Sequence, residues 1–174
     1  MWKRAIKWWR GVKELASQLL HGHASPDEIA AGVALGAFIG IVPTFGLGGF
    51  IALGIASRLG WNRLAAFLGT FIMNPLTFPF FTALSGLLGA VVLPRRTQEL
   101  IARLEDLPND LSLVRAFFQN EGWGRDLIGA MGLYMVGNLI VALTFAGISF
   151  ILTKRIIIFH RRRKERRSEM EKAK

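Results

Sequence analysis

The sequence predicts an all-α, polytopic helical membrane protein, and three observations lead there. Charge is segregated rather than interleaved: 52% of the 174 residues are hydrophobic, and residues 29–57, 64–94 and 127–153 hold no charged side chain at all. Each of these blocks exceeds the roughly 20 apolar residues that cross a hydrocarbon core, whereas soluble helices carry a charged face. The formal net charge of +10 gathers toward the two ends of the chain, as cytoplasmic flanks of membrane helices do. Finally, "LGAFIGIVPTF" (35–45) and "LGTFIMNPLTF" (68–78) share L-G-x-F-I-x-x-x-x-T-F at an offset of 33. Each copy carries a proline just ahead of its Thr-Phe pair, so one broken apolar segment is written twice.

Taken in order, residues 1–24 read as an amphipathic interfacial helix. Trp2, Ala5, Ile6, Trp9, Val12, Ala16, Leu19 and Leu20 recur at helical spacing, with Lys3, Lys7, Arg10 and Glu14 on the other side. Tryptophan at a polar–apolar border with cations on the wet face suits anionic lipid. No continuous apolar stretch follows the early cations, so a secretory signal is not expected. His21 and His23 have no supporting ligand nearby in sequence and read as linker, not metal site.

Residues 25–94 form the repeated broken-helix core. Ser25, Pro26, Asp27 and Glu28 read as an N-cap, a first-turn proline and a capping-box acid, so a helix starts near Pro26. Block one is interrupted at Pro43, Gly46, Gly48 and Gly49, and block two at Asn74, Pro75 and Pro79. Proline removes a donor, clashes with the preceding turn and pushes its predecessor out of helical angles. These clusters exceed what a kink needs, and they predict half-helices joined by irregular backbone. In a bilayer such backbone is tolerated only under cover of protein or a wet cavity.

Residues 95–126 are a polar connector with amphipathic patches at Leu100, Ile101, Leu104 and Leu107. Residues 127–153 are a transmembrane helix whose Gly129, Gly132 and Gly137 suit close packing. Residues 154–174 are a cytoplasmic tail with ten basic and three acidic side chains. Its "RRRKERR" resembles a nucleic-acid-binding run, but it follows a membrane block closely, where lipid headgroups are the nearest polyanion. A topology anchor is expected there, with no nucleic acid.

Basic flanks at both ends put both termini in the cytoplasm, which requires an even number of crossings. Three blocks crossing once each give an odd number, so block one or block two enters and returns. With block one as the hairpin, the Arg58–Arg63 turn stays inside and the connector faces out, the better fit to the charges.

The segment from Ser25 to Pro94 resembles a bacterial membrane family, domain of unknown function 2062. "AAGVALGAFIGIVPTFG", with Gly32, Gly36, Gly40 and Pro43, and "GTFIMNPLTFPFF", with Asn74, Pro75, Thr77 and Pro79, carry the likeness. The resemblance implies an all-helical, multi-pass protein of the bacterial inner membrane and brings no reaction with it.

The blocks hold no acid, base or histidine, which excludes carboxylate relays, carboxylate metal sites and acid–base catalysis within the bilayer. No nucleophile–base pair or phosphate loop stands elsewhere in the sequence, and the chain has no cysteine. Neither an enzyme nor a cofactor is expected. Polar groups at depth cluster at the breaks: Thr44, Thr70, Asn74, Thr77 and Thr82. Pro43, Thr44, Asn74, Pro75, Thr77 and Pro79 are therefore the candidate pocket, with Arg58 and Arg63 near its mouth to attract an anionic headgroup. Broken segments of this kind build many transporter sites, and repeats of opposite sense bring their breaks face to face. The expected function is a transporter or translocator of an anionic lipid or lipid-linked phosphate, with membrane lipids and a second copy or another membrane protein as partners. A non-catalytic scaffold, docking a larger complex through glycine-rich faces, is the alternative.

Overall fold

The computed structural model describes residues 24–105 and 123–172. The expectation for residues 1–24 falls, except for Ala24, outside the described residues, as do His21, His23 and residues 106–122 of the connector, Leu107 among them. Among the described residues every regular element is helical: α1 (Pro26–Ile41), α2 (Gly48–Leu59), α3 (Arg63–Gly69) with a 3-10 turn (Thr70–Ile72), α4 (Phe78–Val92), α5 (Pro94–Glu105) and α6 (Trp123–Lys172). The chain divides into two compact units, Met1–Asn74 with Ala142–Lys174, and Pro75–Val141.

In the first unit α1 starts as the sequence predicts. Ser25 is the N-cap, its Oγ accepts from the Glu28 N–H at 3.2 Å, and Pro26 opens the helix with Asp27 and Glu28 at its positive end. It stops at Ile41 because Val42, the residue before Pro43, is extended at φ −66°, ψ 136°. The chain then reverses. Leu47 N–H donates to the Thr44 carbonyl at 3.0 Å, and both central residues have positive φ, Phe45 at 50° and Gly46 at 88°. Only the glycine takes that angle freely; Phe45 holds it at a steric cost. α2 returns, ends on Gly60 in the left-handed region, and the Asn62 N–H donates to the Glu28 carbonyl at 3.1 Å, beside the start of α1. Asn62 also caps α3 through Oδ1, which accepts from Ala65 N–H at 2.8 Å.

α3 then climbs in the same direction as α1. Gly32 lies against the Asn62 carbonyl and Ala65, Gly36 against the Ala66 carbonyl and Gly69, and Gly40 against Thr70. A Cβ on Gly36 would stand 2.7 Å from Gly69 Cα, and one on Gly69 would stand 3.0 Å from Gly36 Cα. Gly36 and Gly69 are equivalent positions of the repeat. So are Val33 and Ala66, and each glycine sits on the other copy's carbonyl of that pair. The two copies are thus packed about an approximate two-fold axis parallel to their helices. Small residues permit this approach, and backbone-to-backbone dispersion and Cα–H to carbonyl contacts stabilise it. Ile39, Ala52, Ala56 and Ala66 complete the core around α2.

The last part of α6 closes this unit. Ile157 is buried with Ile29 and Ala65, Lys154 pairs with Asp27, and an Arg161 guanidinium N–H donates to the Ala24 carbonyl at 2.7 Å.

The second unit pairs α4 with the first part of α6 in opposite senses. Gly89 rests on the Leu133 carbonyl and Gly137 on the Ser85 carbonyl. α5 leaves α4 at 106° after a single residue.

Among the described residues one helix by itself is long and apolar enough to cross a membrane, Leu127–Arg163 within α6, and α4 with α5 passes the same measure only as a pair bent by 106°. Blocks one and two are as long in sequence, but their prolines cut them into helices of 16, 12, 7 and 15 residues. The basic run after block three continues the helix, α6 extending without interruption to Lys172. Of Gly129, Gly132 and Gly137 in block three, Gly137 alone is packed tightly. Gly129 only reaches Leu100, and Gly132 has nothing near the place a Cβ would take.

Candidate functional site

The breaks become local geometry. In the first, Pro43 and Thr44 follow the end of α1 and are half-buried, while Phe45, Gly46 and Leu47 stand out of the fold, Phe45 being 94% exposed. α2 then starts at Gly48 with Leu47 as its N-cap residue and with no side-chain cap. The Thr44 hydroxyl lies 2.8 Å from where a Gly48 Cβ would be, and the Phe67 ring lies 3.0 Å from that of Gly49. Leu47 thus supplies no side-chain cap to the first backbone N–H groups of α2, which open the positive end of the helix between two glycines and an aromatic wall.

The second break begins where the 3-10 turn stops. Met73 is extended, and Asn74 Nδ2 donates to the Phe71 carbonyl at a long 3.5 Å. Because Gly40 packs on Thr70, Asn74 lies at the same end of the first unit as Pro43 and Thr44. The repeats run in the same sense, so the arrangement in which opposed repeats face their breaks toward each other does not occur between α1 and α3.

Pro75, Thr77 and Pro79 belong to the second unit. Pro75 is exposed and Thr77 half-buried. Thr77 is the N-cap residue of α4 with no side-chain cap bond, its carbonyl accepts from the Phe81 N–H at 3.0 Å, and Pro79 lies in the first turn.

Arg58 and Arg63 lie elsewhere. Both are exposed, Arg58 in the last turn of α2 and Arg63 at the first position of α3. The 12 residues of α2 separate Arg58 from the break by about 15 Å. They flank the end of the unit where Ala24, Asp27, Lys154 and Arg161 meet, not the end where the chain is broken.

A polar pair that sequence reasoning missed lies in the seam of α4 and α6. Ser85 is 0% and Asn138 1% exposed; Asn138 Nδ2 donates to Ser85 Oγ at 3.3 Å and reaches the Tyr134 hydroxyl at 3.5 Å. The Thr82 hydroxyl, one turn before Ser85, is buried with no hydrogen-bond partner among the described residues. The signal was present: Tyr134, Gly137 and Asn138 share one helical face of block three, and Ser85 and Gly89 are a small pair four apart. A search confined to the proline breaks passes over it.

The family described as "Uncharacterized protein conserved in bacteria (DUF2062)" matches residues 9–166. No curated protein and no solved structure matches the chain.

Proposed function

The chain belongs to the bacterial DUF2062 family, and we propose that it is a multi-pass inner-membrane protein that binds and moves an anionic lipid or lipid-linked phosphate. The observation that carries this reading is the start of α2. A helix N-terminus with no side-chain cap and two glycines, inside an apolar block that holds no acid, suits a phosphate oxygen. Unsatisfied donors at membrane depth cost several kcal/mol each, so such a terminus favours an anionic ligand.

The helix lengths support a membrane arrangement of the following kind. α6 crosses, and its Lys154–Arg161 end is cytoplasmic by its charge. α1 starts at that same end, tied to Lys154 and Arg161. Its 16 residues reach about 24 Å, short of the roughly 30 Å hydrocarbon core. α2 brings the chain back beside Glu28. Block one is then a re-entrant hairpin from the cytoplasmic side, Arg58 and Arg63 collect headgroups on that surface, and both termini are cytoplasmic. The exposed Phe45–Leu47 turn, irregular backbone at depth, is covered by a second copy or a partner membrane protein.

The scaffold reading has its own support: among the described residues nothing lies within 4 Å of the place a Cβ would take on Gly54, Gly86, Gly132 and Gly147. The glycines of the repeat favour it less, because they are consumed inside the fold.

Vesicles carrying the purified protein and a headgroup-labelled phospholipid test the transport reading. Phe50 is 76% exposed in the first turn of α2. Phe50→Glu puts an anion where the phosphate binds, and Phe50→Gln is its neutral control. The expected result is movement above empty vesicles, reduced about tenfold in Phe50→Glu relative to Phe50→Gln, the equivalent of about 1.4 kcal/mol. No movement, or equal movement in the two variants, overturns it. A stable hetero-complex lost on Gly132→Leu or Gly147→Leu favours the scaffold.

A further inference from the structure

The helix α5 has a use that the breaks do not explain. It leaves α4 at 106°, so it lies across the α4 axis rather than along it. The corner is fixed by hydrogen bonds. Thr97 Oγ1 donates toward the carbonyls of Leu93, at 3.0 Å, and Ala90, at 3.4 Å, and the Thr97 N–H donates to the Leu93 carbonyl at 3.1 Å. Leu93, ahead of Pro94, is out of helical angles at φ −120°, ψ 61°. The turn is thus capped at the point where α4 carbonyls lose their helical donors.

Helical spacing puts Thr97, Leu100 and Ile101 on one side of α5, and Arg95, Arg96 and Glu99 on the other. Leu100 touches the Gly129 position of α6, while Ile101 remains 49% exposed. Around this end of the unit stand exposed apolar side chains of the neighbouring helices: Val91, Val92, Leu127, Ile128 and Met131. Arg95 and Arg96 are exposed in a first turn that holds no acid, so two cations add to the positive end of the helix dipole. An apolar band, a helix lying across its end and two cations in the first turn of its outer side, with Glu99 one turn further on, together match a bilayer surface.

We propose that α5 lies in the plane of the membrane surface, at the end of the α6 span remote from the basic tail. Its Ile101 side enters the hydrocarbon, and Arg95 and Arg96 hold phosphodiester headgroups of that leaflet. The corner at Leu93 fixes the depth of α4, and so anchors the second half of block two. This inference rests on the membrane crossing by α6 proposed above.

The chain has no cysteine, so single cysteines carry an environment-sensitive fluorophore cleanly. Ile101→Cys, Gln98→Cys and Leu143→Cys are reconstituted in phosphatidylcholine vesicles, with and without phosphatidylglycerol. Leu143 is an exposed mid-span position of α6 and reports the crossing independently. The expected result is quenching of the Ile101 and Leu143 labels by an acyl-chain quencher, and of the Gln98 label by aqueous iodide. Iodide quenching at Ile101 equal to that at Gln98, with Leu143 still quenched from the lipid, overturns the placement of α5 alone. Iodide quenching at Leu143 overturns the crossing itself. Phosphatidylglycerol is expected to deepen the Ile101 signal, and Arg95→Gln with Arg96→Gln to abolish that response; an unchanged response in the double variant removes the headgroup role of the arginines.

Discussion

The seam between α1 and α3 and the seam between α4 and α6 solve the same problem by different means. Both bring helix backbones together over glycine, Gly36 and Gly69 in the first, Gly89 and Gly137 in the second. The first is parallel, joins two copies of one repeat, and is lined by glycine, alanine and main-chain carbonyls. The second is antiparallel, joins unrelated segments, and carries the Ser85–Asn138 hydrogen bond. Without a hydrophobic effect between helices in lipid, association rests on close packing and on buried hydrogen bonds. A repeat that packs on itself obtains register from shape alone, whereas the unrelated pair has a polar contact to set its register.

The largest expected effect separates packed glycines from open ones. Gly36→Leu, Gly69→Leu or Gly137→Leu drives a side chain into a neighbouring carbonyl or Cα, with an expected loss of about 3 kcal/mol in detergent unfolding. Gly54→Ala and Gly132→Ala meet nothing and should gain up to about 1 kcal/mol from helix propensity. Equal losses at both classes would mean that neither seam is packed as described.

The second prediction isolates the polar contact. Asn138→Leu is expected to cost about 1 kcal/mol, within the range of interhelical hydrogen bonds in membranes. Against Ser85→Ala, a double-mutant cycle should return a coupling energy of similar size. Additive losses would mean that the pair does not interact. No counterpart of this effect exists in the α1–α3 seam.

A comparable effect of opposite sign is expected at the first break. Phe45→Gly relieves the positive φ and should raise stability by up to about 1 kcal/mol, set against the entropy glycine adds to the unfolded chain. If Phe45 is instead held by a partner, the variant will lose oligomer on a sizing column. The smallest effect belongs to the Lys154–Asp27 pair. It is half exposed on both sides, and Lys154→Gln should cost under about 1 kcal/mol, vanishing at high salt.

Much of the first seam was legible in the sequence. Ser25–Glu28 announced the start of α1, Pro43 and Pro75 announced the breaks, and the 33-residue offset announced two equivalent elements. Their relative sense was not legible, because a repeat in sequence is silent on whether its copies pack parallel or antiparallel. That needs the long-range contacts of Gly36 with Gly69 and of Asn62 with Glu28. The apolar count marks blocks one and two as long enough to cross, and their prolines announce that this length does not lie along one axis. Arg58 and Arg63 were read as neighbours of the break because they are close to it in sequence, yet a helix of 12 residues stands between. Asn138 and Ser85 were passed over for the reverse reason: each lies on a recognisable small-residue face, but the two are 53 residues apart and neither face names its partner.

Labelling from each side of the membrane with a thiol reagent that does not cross it tests the re-entrant repeat most directly. Single cysteines at Ser57, at the end of α2, at Gln98 in α5 and at Ser168 near the end of α6 are sufficient in sealed vesicles of known orientation. If block one enters and returns, Ser57→Cys and Ser168→Cys react from the cytoplasmic side and Gln98→Cys from the opposite side. Reaction of Ser57→Cys from the side opposite Ser168→Cys would mean that block one crosses the membrane, and would contradict a hairpin built from paired half-helices.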